Sequence, residues 1–353
     1  MPPSERTGRQ PARRARPPVT GVLAYAGAPS SVVHAGVLLA GFQTGALSLC
    51  TDALLCSTLG LYLYGVRRLA RRGRPWPSAS SLAFGLGLFS IFVAVGSGLA
   101  AYDDANVTMH VVQHVLLMMV APPLLALGKP VTLATQAGSR TNQVRIVKLL
   151  HGPVVAAITF PVVVWFLYYG TMYGDFMTGI YQYSVVHPLF HDATHLWFLA
   201  VGYLYWQPLI GLDPARWRWS YPARAGSLFL GMPFEAFLGI AIAGLPRPLA
   251  PINTLADTHT GGDTFWILSM VVTGVCMAIV ILQWFRQLER ETVREDRRVE
   301  MAAAENRALA AELGVEVPDG ATIPWWRVDE LQRQRSQSAA PGRPDAPDTG
   351  AQA

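Results

Sequence analysis

Residues Trp266–Trp284 read WILSMVVTGVCMAIVILQW and contain no charged side chain. A surface helix of a soluble protein carries polar residues along one face, and this stretch has no such face. Its length suits a hydrocarbon core about 30 Å thick, which takes roughly 20 apolar residues to cross. Pro161–Tyr169 is equally free of charge. Working outward from these stretches, apolar length and flanking charge predict spans at 46–66, 82–101, 109–127, 153–170, 187–206, 226–244 and 264–285. The predicted fold is an all-α membrane protein, a polytopic bundle of about seven transmembrane helices.

The composition agrees. Of 353 residues, 51% are hydrophobic and only 14% are charged, against about 25% charged in an ordinary soluble domain. The charges crowd into the N-terminus, short loops and the tail after Trp284. Four segments follow. Residues 1–31 form a basic Pro- and Arg-rich tail without a clean cleavage site, and 32–285 form the transmembrane domain. Residues 286–315 form a charged cytoplasmic helix, and 316–353 have a composition that favours disorder.

Alternate loops differ in sign. One set holds Arg67, Arg68, Arg71, Arg72 and Arg74, then Lys129, Arg140, Arg145 and Lys148, then Arg216, Arg218 and Arg224. The other holds Asp103, Asp104, Asp175, Asp257 and Asp263, with Arg247 as its one cation. Cation-rich loops stay in the cytoplasm, so the N-terminus is predicted outside and the C-terminus cytoplasmic, in a multi-pass bacterial cell membrane protein. Arg6, Arg9, Arg13, Arg14 and Arg16 oppose that placement. A weak eighth span over 20–44 would reconcile them, but Pro29, Ser30 and Ser31 interrupt it. The net charge of +5 reflects topology and contact with anionic membrane lipid. Aromatic-interleaved basic runs are absent, so no nucleic-acid partner is predicted. Cys50, Cys56 and Cys276 lie in apolar spans without a CxxC and read as small buried hydrophobes. Pro122, Pro123, Pro130 and Pro208 are expected to kink or end helices, and Gly85, Gly87, Gly96 and Gly98 to allow close helix approach.

The histidines carry the functional signal. His110 and His114 open the third span at i, i+4, which places them on one helix face. His187, His191 and His195 open the fifth span at the same spacing, with Asp192 alongside. Both spans run inward from the same side. His259 and Asp257 lie in a loop on that side, His34 precedes the first span there, and only His151 sits at the opposite edge. Histidine in a membrane span is costly and tends to be functional. Imidazole suits copper, zinc and iron, and thioether favours Cu(I). Met109, Met118 and Met119 flank the first pair. Asp52 and Glu235 are intramembrane acids, either proton carriers or hydrogen-bonded helix contacts.

The runs HVVQHVLLMMVAPPLLALGKP (His110–Pro130) and HDATHLWFLAVGYLYWQPLIGLDP (His191–Pro214) resemble two signatures of the CtaG family of bacterial cytochrome c oxidase assembly factors. So do GVRRLARRGRPWP from Gly65 and the Gly261–Gly262 pair followed by Trp266. The resemblance covers roughly 45–290. It is to the multi-span family, not the single-span copper chaperone that shares the name. Glu235 stands where members tend to carry histidine, and Ala53 follows Asp52 where proline is usual. The resemblance implies a non-enzymatic factor that aids assembly of a haem–copper oxidase and works with its subunits.

Taken together, the expectation is a copper site near the outer surface built from His110, His114, His187, His191 and His195. Met118, Asp192, Asp257, His259, Asp52 and Glu235 are further candidates. Three alternatives stand beside it: a membrane haem b oxidoreductase with axial histidines from the third and fifth spans, a metal-free structural partner of oxidase subunits, and a copper importer. Homo-oligomerisation is left open.

Overall fold

A computed structural model of the protein describes residues 23–24, 41–43, 45–214, 216–217, 219–313 and 323–338. The predicted N-terminal tail, the weak span over 20–44 and His34 lie largely or wholly outside them. Two short strands, β1 (Leu23–Ala24) and β2 (Gly41–Phe42), pair in parallel. All other regular structure is helical.

Helix α1 is Ala46–Ala70 and α2 is Ser78–Val95. The next span is composite: α3 (Val107–Val115), a π-helical turn (Leu116–Val120) and α4 (Ala121–Leu127). Pro122 and Pro123 fall in the first turn of α4, where a missing N–H costs least. Then come α5 (Pro130–Ala137), α6 (Arg140–Leu150), α7 (Pro153–Ile158), α8 (Pro161–Met177) and α9 (Ile180–Ser184). The last are α10 (Pro188–Ile210, with Pro208 inside it), α11 (Tyr221–Ala243), α12 (Leu255–Leu313) and α13 (Trp325–Ser338).

Among the described residues, five helical runs are long and apolar enough to cross a membrane: Ser48–Ala70, Ser78–Val95, Val107–Ala137, Tyr221–Ala243 and Leu255–Glu312. Helices also stand at the other two predicted spans. The fourth is broken into α7 and α8, and α8 alone covers about 25 Å at 1.5 Å per residue. The fifth, α10, has its apolarity diluted by His191, Asp192, His195 and Gln207.

The chain divides into two compact units at Ile281, within α12. The second unit holds the charged remainder of α12 and α13. Helix α13 falls inside the stretch whose composition favours disorder, and its Arg, Glu, Leu and Gln residues are strong helix formers.

The first unit is organised around the crossing of the composite span with α10. Gly202 makes that crossing close, since a methyl there would meet Met118 O at 2.6 Å and Pro122 Cγ at 2.8 Å. The Trp206 indole N–H donates to Met118 O at 3.0 Å, inside the π turn. Helix α2 meets α4 where a methyl on Gly87 would lie 3.0 Å from Leu125 N. Gly85 has open space around it. Helix α12 closes on α3 through Gly261, whose added methyl would meet Val107 Cγ1 at 2.7 Å. Cys276 is buried, but Cys50 and Cys56 are exposed. The expectation of three buried cysteines fails for these two because α1 lies at the periphery of the bundle and packs only one face.

The cation-rich loops share one end. There Arg72 donates to Gln136 O (3.2 Å) and Arg216 to His151 O (3.2 Å). Tyr62 Oη donates to Gly128 O at 2.7 Å and accepts from Trp76 Nε1 at 2.9 Å. Asp213 accepts from Val131 N (3.0 Å), Thr132 N (2.8 Å) and Thr132 Oγ1 (2.5 Å), capping α5 from beyond α10.

Gly202→Val would drive a branched side chain into the Met118–Pro122 backbone. The expected loss is about 1–3 kcal/mol, the usual cost of overpacking, read as a lower thermal midpoint of the detergent-solubilised protein. An unchanged midpoint would contradict the close crossing.

Candidate metal centre

Four imidazoles converge where α3 crosses α10. His110, His114, His191 and His195 have relative exposures of 0, 5, 4 and 9%, so none is a solvated surface residue. The His110 and His191 rings stack at 5.1 Å between centroids with 14° between planes. The ligand-capable atoms of His110, His114 and His191 lie within 4.8 Å of one another, as do those of Asp103, His191 and His195. His191 belongs to both triads.

Carboxylates hold the outer nitrogens. His191 Nδ1 is 2.9 Å from Asp104 Oδ1, and His114 Nδ1 is 3.3 Å from Asp175 Oδ2. A proton held on Nδ1 leaves the Nε2 lone pair turned inward, the arrangement that orients metal-binding histidines. His195 Nε2 lies 3.1 Å from His191 Nε2 and 3.0 Å from Gln113 Oε1. Gln113 is fixed in turn by donating Nε2–H to Asp103 Oδ2 (2.6 Å) and Ala94 O (3.0 Å). Asp103 precedes α3, and burial pushes its carboxyl up to about 7 despite the opposing pull of His191.

Several of these buried atoms lack a hydrogen bond within the chain: both nitrogens of His110, His114 Nε2 and both oxygens of Asp175. Asp175 is within ion-pair range of His114, and 3.9 Å from His110 Nε2, but not aligned for hydrogen bonds. Leaving a buried polar group unpaired costs about 1–3 kcal/mol. Groups placed this way could together hold a metal ion. Met118, Met119 and Met172 line a small cavity beside His114 and Asp175, which puts thioethers next to the imidazoles.

The other sequence candidates lie elsewhere. His187 precedes Pro188, outside the helix, so the i, i+4 rule does not extend to it. It is exposed, stacks on Tyr183 at 3.8 Å and donates Nδ1–H to Tyr183 O (2.9 Å). Asp192 is exposed on α10. His259 Nε2 pairs with Leu245 O at 2.9 Å. Asp52 is half-buried and faces Gly96. Glu235 is buried between α11 and α12, where Thr273 Oγ1 donates to both carboxylate oxygens at 3.1 and 3.0 Å. Asp257 acts on the helix that carries the first pair. It accepts from Val107 N (2.6 Å), Thr108 N (3.3 Å) and Thr108 Oγ1 (2.8 Å), while Asn106 Oδ1 accepts from Met109 N (3.0 Å). Asp103, Asp104, Asp175 and Gln113 were not among the sequence candidates. The available signal was that all three acids fall in the cation-poor loops beside the histidine pairs.

The fold and site define a helical membrane protein with a buried polyhistidine centre at one end of its bundle. A family model described as cytochrome c oxidase caa3 assembly factor (Caa3_CtaG) matches residues 60–287, and the chain belongs to that family. It is also 32% identical over 267 residues to the uncharacterised proteins Mb0105 of Mycobacterium bovis and MT0111 of Mycobacterium tuberculosis, covering 70% of this chain and 40% of each relative. ML1998 of Mycobacterium leprae is 32% identical over 279 residues, 72% of this chain and 42% of the relative. The chain thus spans about two fifths of the length of the curated relatives it matches. No solved structure matches it.

Asp257→Ala would uncap α3 and loosen the footing of His110. The expected destabilisation is about 0.5–2 kcal/mol, the range for lost N-caps, measured by thermal unfolding in detergent. Asp257→Asn, which keeps one acceptor oxygen of the two in use, should recover part of it.

Proposed function

We propose that this chain is a seven-span protein of a bacterial cell membrane that binds copper at the His110, His114, His191 and His195 cluster and supports assembly of a haem–copper cytochrome c oxidase, alongside that enzyme's subunits. Family membership supports the oxidase assignment. The observation that favours a metal is the set of buried, unpaired imidazole nitrogens backed by Asp104 and Asp175. Copper is the cargo. Imidazole and nearby thioether accommodate Cu(I) while allowing exchange, where a closed tetrathiolate holds metal harder. No bond-making chemistry is required, so the protein acts as a carrier or chaperone rather than an enzyme.

The charge of the loops supports an N-terminus outside, a C-terminus in the cytoplasm and a metal centre on the outer side. In this reading α7 with α8, and α10, complete the seven crossings. The deficit in apolarity of α10 is then the signature of its metal ligands.

The haem alternative is less well supported. Three ligand atoms within 4.8 Å of each other suit a single ion, and the cavity beside His114 has a volume of only about 10 Å³. The purely structural alternative predicts that each buried ring nitrogen is hydrogen-bonded, which His114 Nε2 is not.

Purified wild-type protein should carry copper by elemental analysis, and His191→Ala, which removes the residue shared by both triads, should lose it. Equal copper in the two would eliminate this centre, and a Soret band in the wild type would favour haem. Asp104→Ala should weaken copper retention by about 10–100-fold, the usual effect of losing a carboxylate behind a ligand histidine. His110→Ala combined with His191→Ala should abolish oxidase activity in cells while the protein still inserts in the membrane. Normal oxidase activity in that strain would leave only the structural role.

A further inference from the structure

At the end of the bundle away from the histidines, a groove of about 600 Å³ runs between α1, α5 and α6. Thr58, Leu61 and Tyr62 line its deeper part on α1, and Arg68 its mouth. The ten steps from Thr58 to Arg68 rise about 15 Å at 1.5 Å per residue, so the groove descends from the level of the cationic loops into the apolar zone. Gly65 thins its wall, since a methyl there would meet Leu133 Cγ at 3.3 Å. Arg145 of α6 lines the same groove as Arg68. Among the described residues, neither arginine pairs with a carboxylate.

Helix α6 supplies a second, independent observation. It buries none of its residues in the chain, and Val144, Val147 and Leu149 are 54, 49 and 68% exposed. The segment Ser139–His151 carries Arg140, Arg145 and Lys148 and no acid. An 11-residue helix has little intrinsic stability in water. A basic amphipathic helix of this kind is at home in the headgroup layer of an anionic leaflet.

We propose that this groove is a binding site for an anionic phospholipid, its phosphate between Arg68 and Arg145 and an acyl chain along Leu61, Leu133 and Ala134. Guanidinium groups match phosphate oxygens in geometry and charge, and basic pockets between helices at a membrane face are suited to acidic headgroups. The bound lipid bridges α1 to α6 and adds apolar cover to a helix that the chain holds only through partly buried residues and the Gln143–Thr135 hydrogen bond. This site is separate from the metal centre and does not depend on it.

The test uses full-length protein in detergent, stripped of lipid, then offered phosphatidylglycerol or phosphatidylcholine of identical chains. Retained lipid is counted by native mass spectrometry, and thermal midpoints are recorded. Wild type should retain phosphatidylglycerol preferentially and gain a higher midpoint from it. Arg68→Gln with Arg145→Gln should cut that preference by roughly tenfold or more, the scale of two basic contacts with an anionic surface, and lysine at both positions should restore much of it. Ala134→Phe, which fills the groove but keeps both arginines, should lower phosphatidylglycerol retention as well, and it decides the matter if the double variant fails to insert. Equal retention of the two lipids by wild type, or an unchanged preference in the variants, would overturn the proposal. Inorganic phosphate raising the midpoint as much as phosphatidylglycerol would also overturn it, by pointing to a soluble anion.

Discussion

Two helix backbones in near contact make the histidine centre. At Gly202 there is no room for a side chain between α10 and the Met118–Pro122 segment. The π turn there presents Met118 O sideways to the Trp206 indole, which fixes rotation and translation of the two helices at once. Histidine pairs at i, i+4 on each helix then face one another, and no flexible loop has to place them. Sites carried on rigid elements hold geometry better than sites carried on loops.

That rigidity concentrates cost. Four imidazoles and three carboxyl groups share a small volume at the end of the bundle, with several polar atoms unpaired. The groups around the imidazoles each orient something. Asp104 and Asp175 sit on outer imidazole nitrogens, Gln113 links Asp103 to His195, and Asp257 caps the helix bearing His110. Glu235 stands apart, paired with Thr273 in the apolar core.

Much of this was legible in the sequence. Apolar length found a helix at each predicted span, and helical periodicity put His110 with His114 and His191 with His195. Periodicity misled at His187, because Pro188 starts the helix one residue later and only residues inside a helix share its face. It was silent on Asp103, Asp104 and Asp175, which reach the centre from loops and from the end of α8. Long-range contacts leave no local pattern in a chain, although the sign of the loops had already placed these acids with the histidines. The cysteines show the same limit. Apolar surroundings in sequence do not distinguish a residue facing a neighbouring helix from one facing lipid, and Cys50 and Cys56 face outward.

Asp213 and Asp257 do the same job at opposite ends of the composite span and its extension. Each accepts two backbone N–H groups and a threonine hydroxyl at the start of a helix that comes far earlier in the chain, Val131–Thr132 and Val107–Thr108. A ribosome makes Val107 some 150 residues before Asp257. During synthesis the first histidine pair therefore waits with its helix start capped by Asn106 alone until the last span begins to emerge. The order of translation thus delays completion of the histidine cluster until nearly the whole bundle has been made, so a half-built chain holds these imidazoles without their final neighbours.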